Sequence, residues 1–254
     1  TANGNLTVEA NQQGTPTSGG FVGVNINGGL LQVSGTGQLT VKGKGGDLGE
    51  YRHGIQVFSP GKIQGGTSGT VTVAGTGGAS SLNFIYGVLV AGGNAQITSS
   101  GAAVSVTGNG GGTPSSAITI GVLVEGGMIT SAGTGSGATV TVAGQGGNGF
   151  TYNPGVVVNG LNTQITSSGG AVSVTGTGGG TGSSGDNFGV YVLGGGMITS
   201  AGTGSGATVT VMGNGGTAAT SSANYGVFVT GLNSTITSSG GNVSVTGTGG
   251  GSGT

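Results

Sequence analysis

Cysteine is absent from the chain, which excludes disulfide staples and thiolate metal sites. Charge is nearly absent too. Among 254 residues only four are Lys or Arg, five are Asp or Glu and one is His, against the roughly one quarter charged that an ordinary soluble domain carries. A net charge of −1 offers no electrostatic pull on nucleic acid or on an anionic membrane. Proline occurs four times and the 68 glycines follow no period of three, so a collagen helix is excluded. The longest apolar runs, such as "GVLVAGG" at 87–93, fall far short of the ~20 residues of a membrane helix. Disordered chains are usually charge-rich, whereas this one spaces Val and Ile periodically. The chain begins without an initiator Met or a recognisable secretory leader, which reads as a processed product or a piece of something longer.

What the chain has in abundance is repetition. The segment "GGMITSAGTGSGATVTV" at 126–142 returns letter for letter at 195–211. A glycine followed by an alternating apolar run recurs at Gly23, Gly54, Gly87, Gly121, Gly155, Gly189 and Gly226, at intervals of 31 to 37 residues. Each unit then has a Gly or Asn turn, an Ile–Thr pair, a second Gly-rich turn, a V-S/T-V run and a polar loop.

The short runs have period two. In "AVSVT" at 103–107, Val104 and Val106 share one face, and Ser105 and Thr107 the other. That is the signature of a strand. No stretch has a 3.6-residue period, and Gly and β-branched residues at this density disfavour helix. Three short strands per unit are too few to close a core within the unit. They can do so if the chain winds into a coil and each strand pairs in parallel with its counterpart one turn on. The predicted fold is therefore all-β, a right-handed parallel β-helix of about seven coils with three strands per coil, the hand being the usual one for parallel crossovers. Three inward columns are expected: Val88, Val122, Val156, Val190, Val227; Ile97, Ile129, Ile165, Ile198, Ile236; and Val104, Val140, Val172, Val209, Val243. Residues 1–254 form one domain, a fragment or protomer of a longer array, with 1–20 as a partial first coil and loop. The spacing between the second and third columns alternates between 7 (Ile97 to Val104) and 11 (Ile129 to Val140), so the true repeat is a pair of coils of about 68 residues.

Repeats of the form "GVxV…GGxITSxGTGSGxxVxVxGxGG" resemble those of bacterial and cyanobacterial giant cell-surface proteins, β-solenoid adhesins similar in style to filamentous-haemagglutinin and autotransporter passengers. The resemblance covers nearly the whole chain and is one of repeat style. It implies an extracellular or cell-surface location and a role in adhesion, aggregation or fibre formation. It carries over no catalytic residue.

Chemistry has few places to sit. Seven of the ten ionisable residues lie within 42–62: Lys42, Lys44, Asp47, Glu50, Arg52, His53 and Lys62. Glu50, Arg52 and His53 could form a site, but His53 precedes anchor Gly54 where other coils have Tyr86, Ile120, Pro154, Phe188 and Tyr225, so a packing slot is expected. No acid pair in one groove is expected, and no enzyme, cofactor or metal: "GSSGDN" at 182–187 is a partial, unrepeated match to a calcium nonapeptide. Two binding surfaces remain. Tyr86, Tyr152, Phe188 and Tyr225 could form an aromatic edge for sugar rings, or pin the long loop onto the coil. Thr72, Ser105, Thr141, Ser173, Thr210 and Ser244 form an outward hydroxyl ladder at the ~4.8 Å strand spacing, a pattern that can order ice. Low charge favours association with copies of itself, end to end or laterally. Surface glycans are the other expected partner.

Overall fold

The computed structural model describes residues 1–217 and 223–251. Among them are 22 strands and no helix. The strands sort into three parallel sheets, each made of every third strand in the chain. Sheet 1, of seven strands, holds the runs after each anchor glycine. Sheet 2, of seven, holds the Ile–Thr strands, and sheet 3, of eight, the V-S/T-V strands. One coil is thus Val122–Glu125, Met128–Ser131 and Val140–Gln145, and the next is Val156–Asn159, Gln164–Ser167 and Val172–Thr177. This is a β-solenoid of about seven turns with three strands per coil.

Period two decides what lies inside. In Val140–Gln145, Val140 and Val142 are fully buried and Thr141 is exposed. The three expected columns stand in register. Val88, Val122, Val156, Val190 and Val227 are successive partners. So are Ile97, Ile129, Ile165, Ile198 and Ile236, and Val104, Val140, Val172, Val209 and Val243. Each fully buried Val or Ile contributes about 1.5–3 kcal/mol of transfer free energy. A slip of one residue would turn the whole file outward, which is why the register holds.

Two corners explain the glycine content. In six of the eight sheet 3 strands the fifth residue is a glycine that lies directly against the anchor glycine opening the next pass of sheet 1. A Cβ on Gly144 would overlap the carbonyl oxygen of Gly155, and Gly108 and Gly176 meet Gly121 and Gly189 in the same way. Backbone here packs on backbone, and no side chain fits between.

The second corner, between sheets 2 and 3, carries the alternation. Residues 100–103 and 168–171 close it in alternate coils, and the longer 132–139 and 201–208 close it in the others. In the long corners Thr134–Gly137 and 203–206 are exposed. The short corner of the following coil tucks beneath each long one: Gly169 lies against the Thr134 backbone and Gly240 against that of Thr203. The two-coil repeat therefore has a physical cause, since a long corner needs a glycine-lined short corner under it.

Candidate functional site

Among the described residues, the polar loops after sheet 3 at 77–86, 110–120, 146–154 and 178–188 fold back over the outer face of sheet 1 and stack on one another from coil to coil. Ile85 donates its N–H to the carbonyl of Ile118 at 3.1 Å, Ile118 to that of Thr151 at 3.0 Å, and Tyr152 to that of Gly185 at 3.0 Å. The turn depends on a left-handed residue three positions before six of the seven anchor glycines: Tyr51, Phe84, Ile118, Tyr152, Asp186 and Ala223, with φ between 54° and 61°. Such residues cost about 1–2 kcal/mol each when they carry a Cβ. The inter-coil bonds and the packing beneath offset that cost.

Packing beneath comes from a second apolar cluster outside the solenoid bore. Leu89, Ala91, Leu123 and Val157 face outward from sheet 1, and Tyr86 and Ile120 close over them from the loops. Inside the loops runs a polar file. Thr119 donates its hydroxyl to Asn153 Oδ1, and the Asn153 side-chain amide donates to Asn187 Oδ1 at 2.8 Å. The Asn187 backbone N–H in turn donates to Asn224 Oδ1 at 3.1 Å. A matching serine file, Ser99, Ser131, Ser167 and Ser200, is buried at the corner between sheets 2 and 3, where hydroxyls cap free carbonyls such as that of Ala102. Neither file was visible as inward-facing in the sequence. The recurring signal was Asn or Thr two residues before the anchor and Ser after the Ile–Thr pair.

The aromatic edge is not one continuous file. Tyr86 and Phe188 are buried, Tyr152 is half-buried and Tyr225 is exposed. Near the first coils Tyr51 stacks on Phe84 at 5.3 Å and His53 on Tyr86 at 4.6 Å. In the later coils Phe188 contacts Tyr152, Tyr191, Tyr225 and Phe228. Ile118, Ile120 and Pro154 occupy the loop positions between these groups. The hydroxyl ladder is continuous: Thr72, Ser105, Thr141, Ser173, Thr210 and Ser244 are register partners on sheet 3. Thr141 and Ser244 are exposed and the other four half-buried.

Between the first loops and sheet 1 opens a groove of about 500 Å³. Its lining includes Glu50, Tyr51, Arg52, His53, Gln56, Phe58, Tyr86 and Glu125. The expectation that no two acids share a groove is corrected here. Glu50 and Glu125 come from different coils, and stacking brings both to one cleft. Glu125 accepts from the Asn159 amide at 3.1 Å, and the buried Gln56 donates to Asn25 at 3.2 Å. Burial pushes the Tyr86 phenol up, and that of Tyr152 up to about 12, so both remain protonated at neutral pH. Elsewhere the acids have ordinary roles. Asp47 accepts from Ser18 and from the Gly19 N–H, which hold its carboxyl below the usual range, and Glu9 pairs with Lys42 at 3.0 Å on the surface. Among the described residues no three His, Cys, Asp or Glu side chains gather as metal ligands would.

His53 sits at the back of the groove, 1% exposed, and its Nδ1 accepts the Tyr86 N–H at 3.2 Å. Burial, with Arg52 adjoining, lowers its pKa from 6.5 to about 4. The unfolded chain therefore binds the extra proton first. Stability is unaffected above about pH 6.5 and falls as the pH drops toward 4, by up to ~1.4 kcal/mol per pH unit. Denaturant titrations at pH 7, 6 and 5 should show this loss, and His53→Phe should flatten it, because Phe188 fills the equivalent slot in its own coil.

No known protein family, curated protein or solved structure matches the chain.

Proposed function

We propose that the chain is a structural and adhesive module of an extracellular surface protein or fibre, with no catalysis of its own. One observation carries the reading: 22 strands keep one register through three parallel sheets, so the whole length is a single continuous ladder. Eight strands at ~4.8 Å spacing make a body roughly 34 Å along its axis. The exposed side chains of sheet 3 are chiefly Thr, Ser, Asn and Gln, a nearly uncharged surface that other chains can approach without repulsion. Association with copies of itself belongs to the proposal.

Electron microscopy of natively sourced material at several dilutions tests the proposal. Rods or filaments on the cell exterior with a ~4.8 Å axial layer are expected. Dispersed intracellular particles without that layer, or turnover of any glycoside by the purified protein, would overturn it.

A further inference from the structure

We infer that the groove over the first coils of sheet 1 binds a neutral saccharide, through Tyr51, Gln56, Phe58, Tyr86 and Glu125. The inference rests on the adhesive reading above and supplies the class of partner. Its size is right, since clefts of ~300–1,000 Å³ hold small ligands and this one measures about 500 Å³. Its chemistry is mixed in the way a sugar ring is mixed. The apolar C–H face of a pyranose needs a flat aromatic surface. Tyr51 is 53% exposed at the mouth, held by its parallel stack on Phe84 at 5.3 Å, and Phe58 is 37% exposed nearby. The ring hydroxyls need convergent donors and acceptors. The buried Gln56 spends its Nε2 on Asn25, which leaves the carbonyl oxygen to accept. Glu125 receives the Asn159 amide on one oxygen and keeps the other. The Tyr86 hydroxyl has no hydrogen-bond partner among the described residues and lines the same cleft.

Other ligand classes fit less well. An anion would need clustered cations, and Arg52 is the one Lys or Arg in a lining that also holds Glu50 and Glu125. Its guanidinium lies close to the backbone of Gly49. The later coils do not repeat the site. There the corresponding surface is filled by Ile118, Ile120, Leu123 and Val157. A quaternary amine is the nearest competitor, because aromatic faces with a carboxylate suit cations as well.

The test is titration of the full chain with neutral gluco-, galacto-, xylo- and chito-oligosaccharides, and separately with choline, read by calorimetry and tyrosine fluorescence. Saccharide binding is expected. Tyr51→Ala and Glu125→Gln should each weaken it by about tenfold, and Leu232→Ala, an exposed apolar side chain in a distant coil, should leave it unchanged. Both altered side chains are solvent-accessible, and circular dichroism confirms the fold of each variant. No saccharide binding, binding indifferent to both variants, or binding of choline alone would overturn the assignment. Electron microscopy of the rod reads the adhesive module separately, so an empty groove on an intact filament refutes this inference and leaves the other standing.

Discussion

Gly144→Val should destabilise the solenoid by about 3–4 kcal/mol, and Gly137→Ala, seven residues earlier, should leave stability within about 0.5 kcal/mol or raise it slightly. Both positions are glycines in the same coil, and neither has a left-handed φ. They differ in what a side chain would meet. Around Gly137 there is nothing within 4 Å. At Gly144 a Cβ would overlap the Gly155 carbonyl oxygen and approach Val156 Cγ2 to 2.7 Å. That carbonyl already accepts the Val122 N–H at 2.9 Å. No rotamer change relieves a clash with backbone, so the coil must open and lose a ladder bond. Urea denaturation followed by circular dichroism would read both variants, with midpoint and slope reported together because long repeats need not unfold in one step. Equal behaviour of the two variants would mean that the corner is looser than its geometry shows.

That contrast marks how far the sequence could be read. Gly144 and Gly155 both appear in every unit, and the period alone placed Val140, Ile129 and Val122 on facing columns. It also located the four extra residues of the long corner. These features are periodic within one coil, and parallel pairing with the next coil turns each period into a contact. The outer layer follows no such rule. Tyr51 and Glu125 line one groove although 74 positions separate them, because a left-handed turn at Tyr51 folds the loop over sheet 1. A Tyr, Phe or Ile at that position gives no hint of positive φ. Tyr86 and Phe188 look alike in the repeat, yet Tyr86 lines the groove while Phe188 packs among Tyr152, Tyr191, Tyr225 and Phe228, and the exposed Phe58 was not singled out. Burial on the outer face depends on what each loop brings down, and the loops vary most between units.

The asparagine file offers the second large effect. Asn187→Ala should cost about 3–4 kcal/mol, from the ~1–3 kcal/mol lost for each buried group left without a partner. Asn187 Oδ1 accepts the Asn153 backbone N–H at 3.1 Å, the Asn153 amide at 2.8 Å and the Ser184 hydroxyl at 3.0 Å. Its Nδ2 donates to the Ser184 carbonyl at 2.8 Å. The Asn153 amide has other acceptors, the Gly149 carbonyl and Ser184 Oγ, both at 3.0 Å. The Asn153 N–H, the Ser184 hydroxyl and the Ser184 carbonyl lose the partners described, and these three orphaned groups set the expected cost. Asn187→Leu should be no better, since filling the volume restores neither bond. Exposed Asn148→Ala should stay within about 0.5 kcal/mol. The Asn153→Ala, Asn187→Ala double variant should cost about 1 kcal/mol less than the sum, because both single changes break the same links. Additive costs would show that the two amides act separately, and that the outer loops are held by the apolar cluster around Leu123 instead of by the polar file behind it.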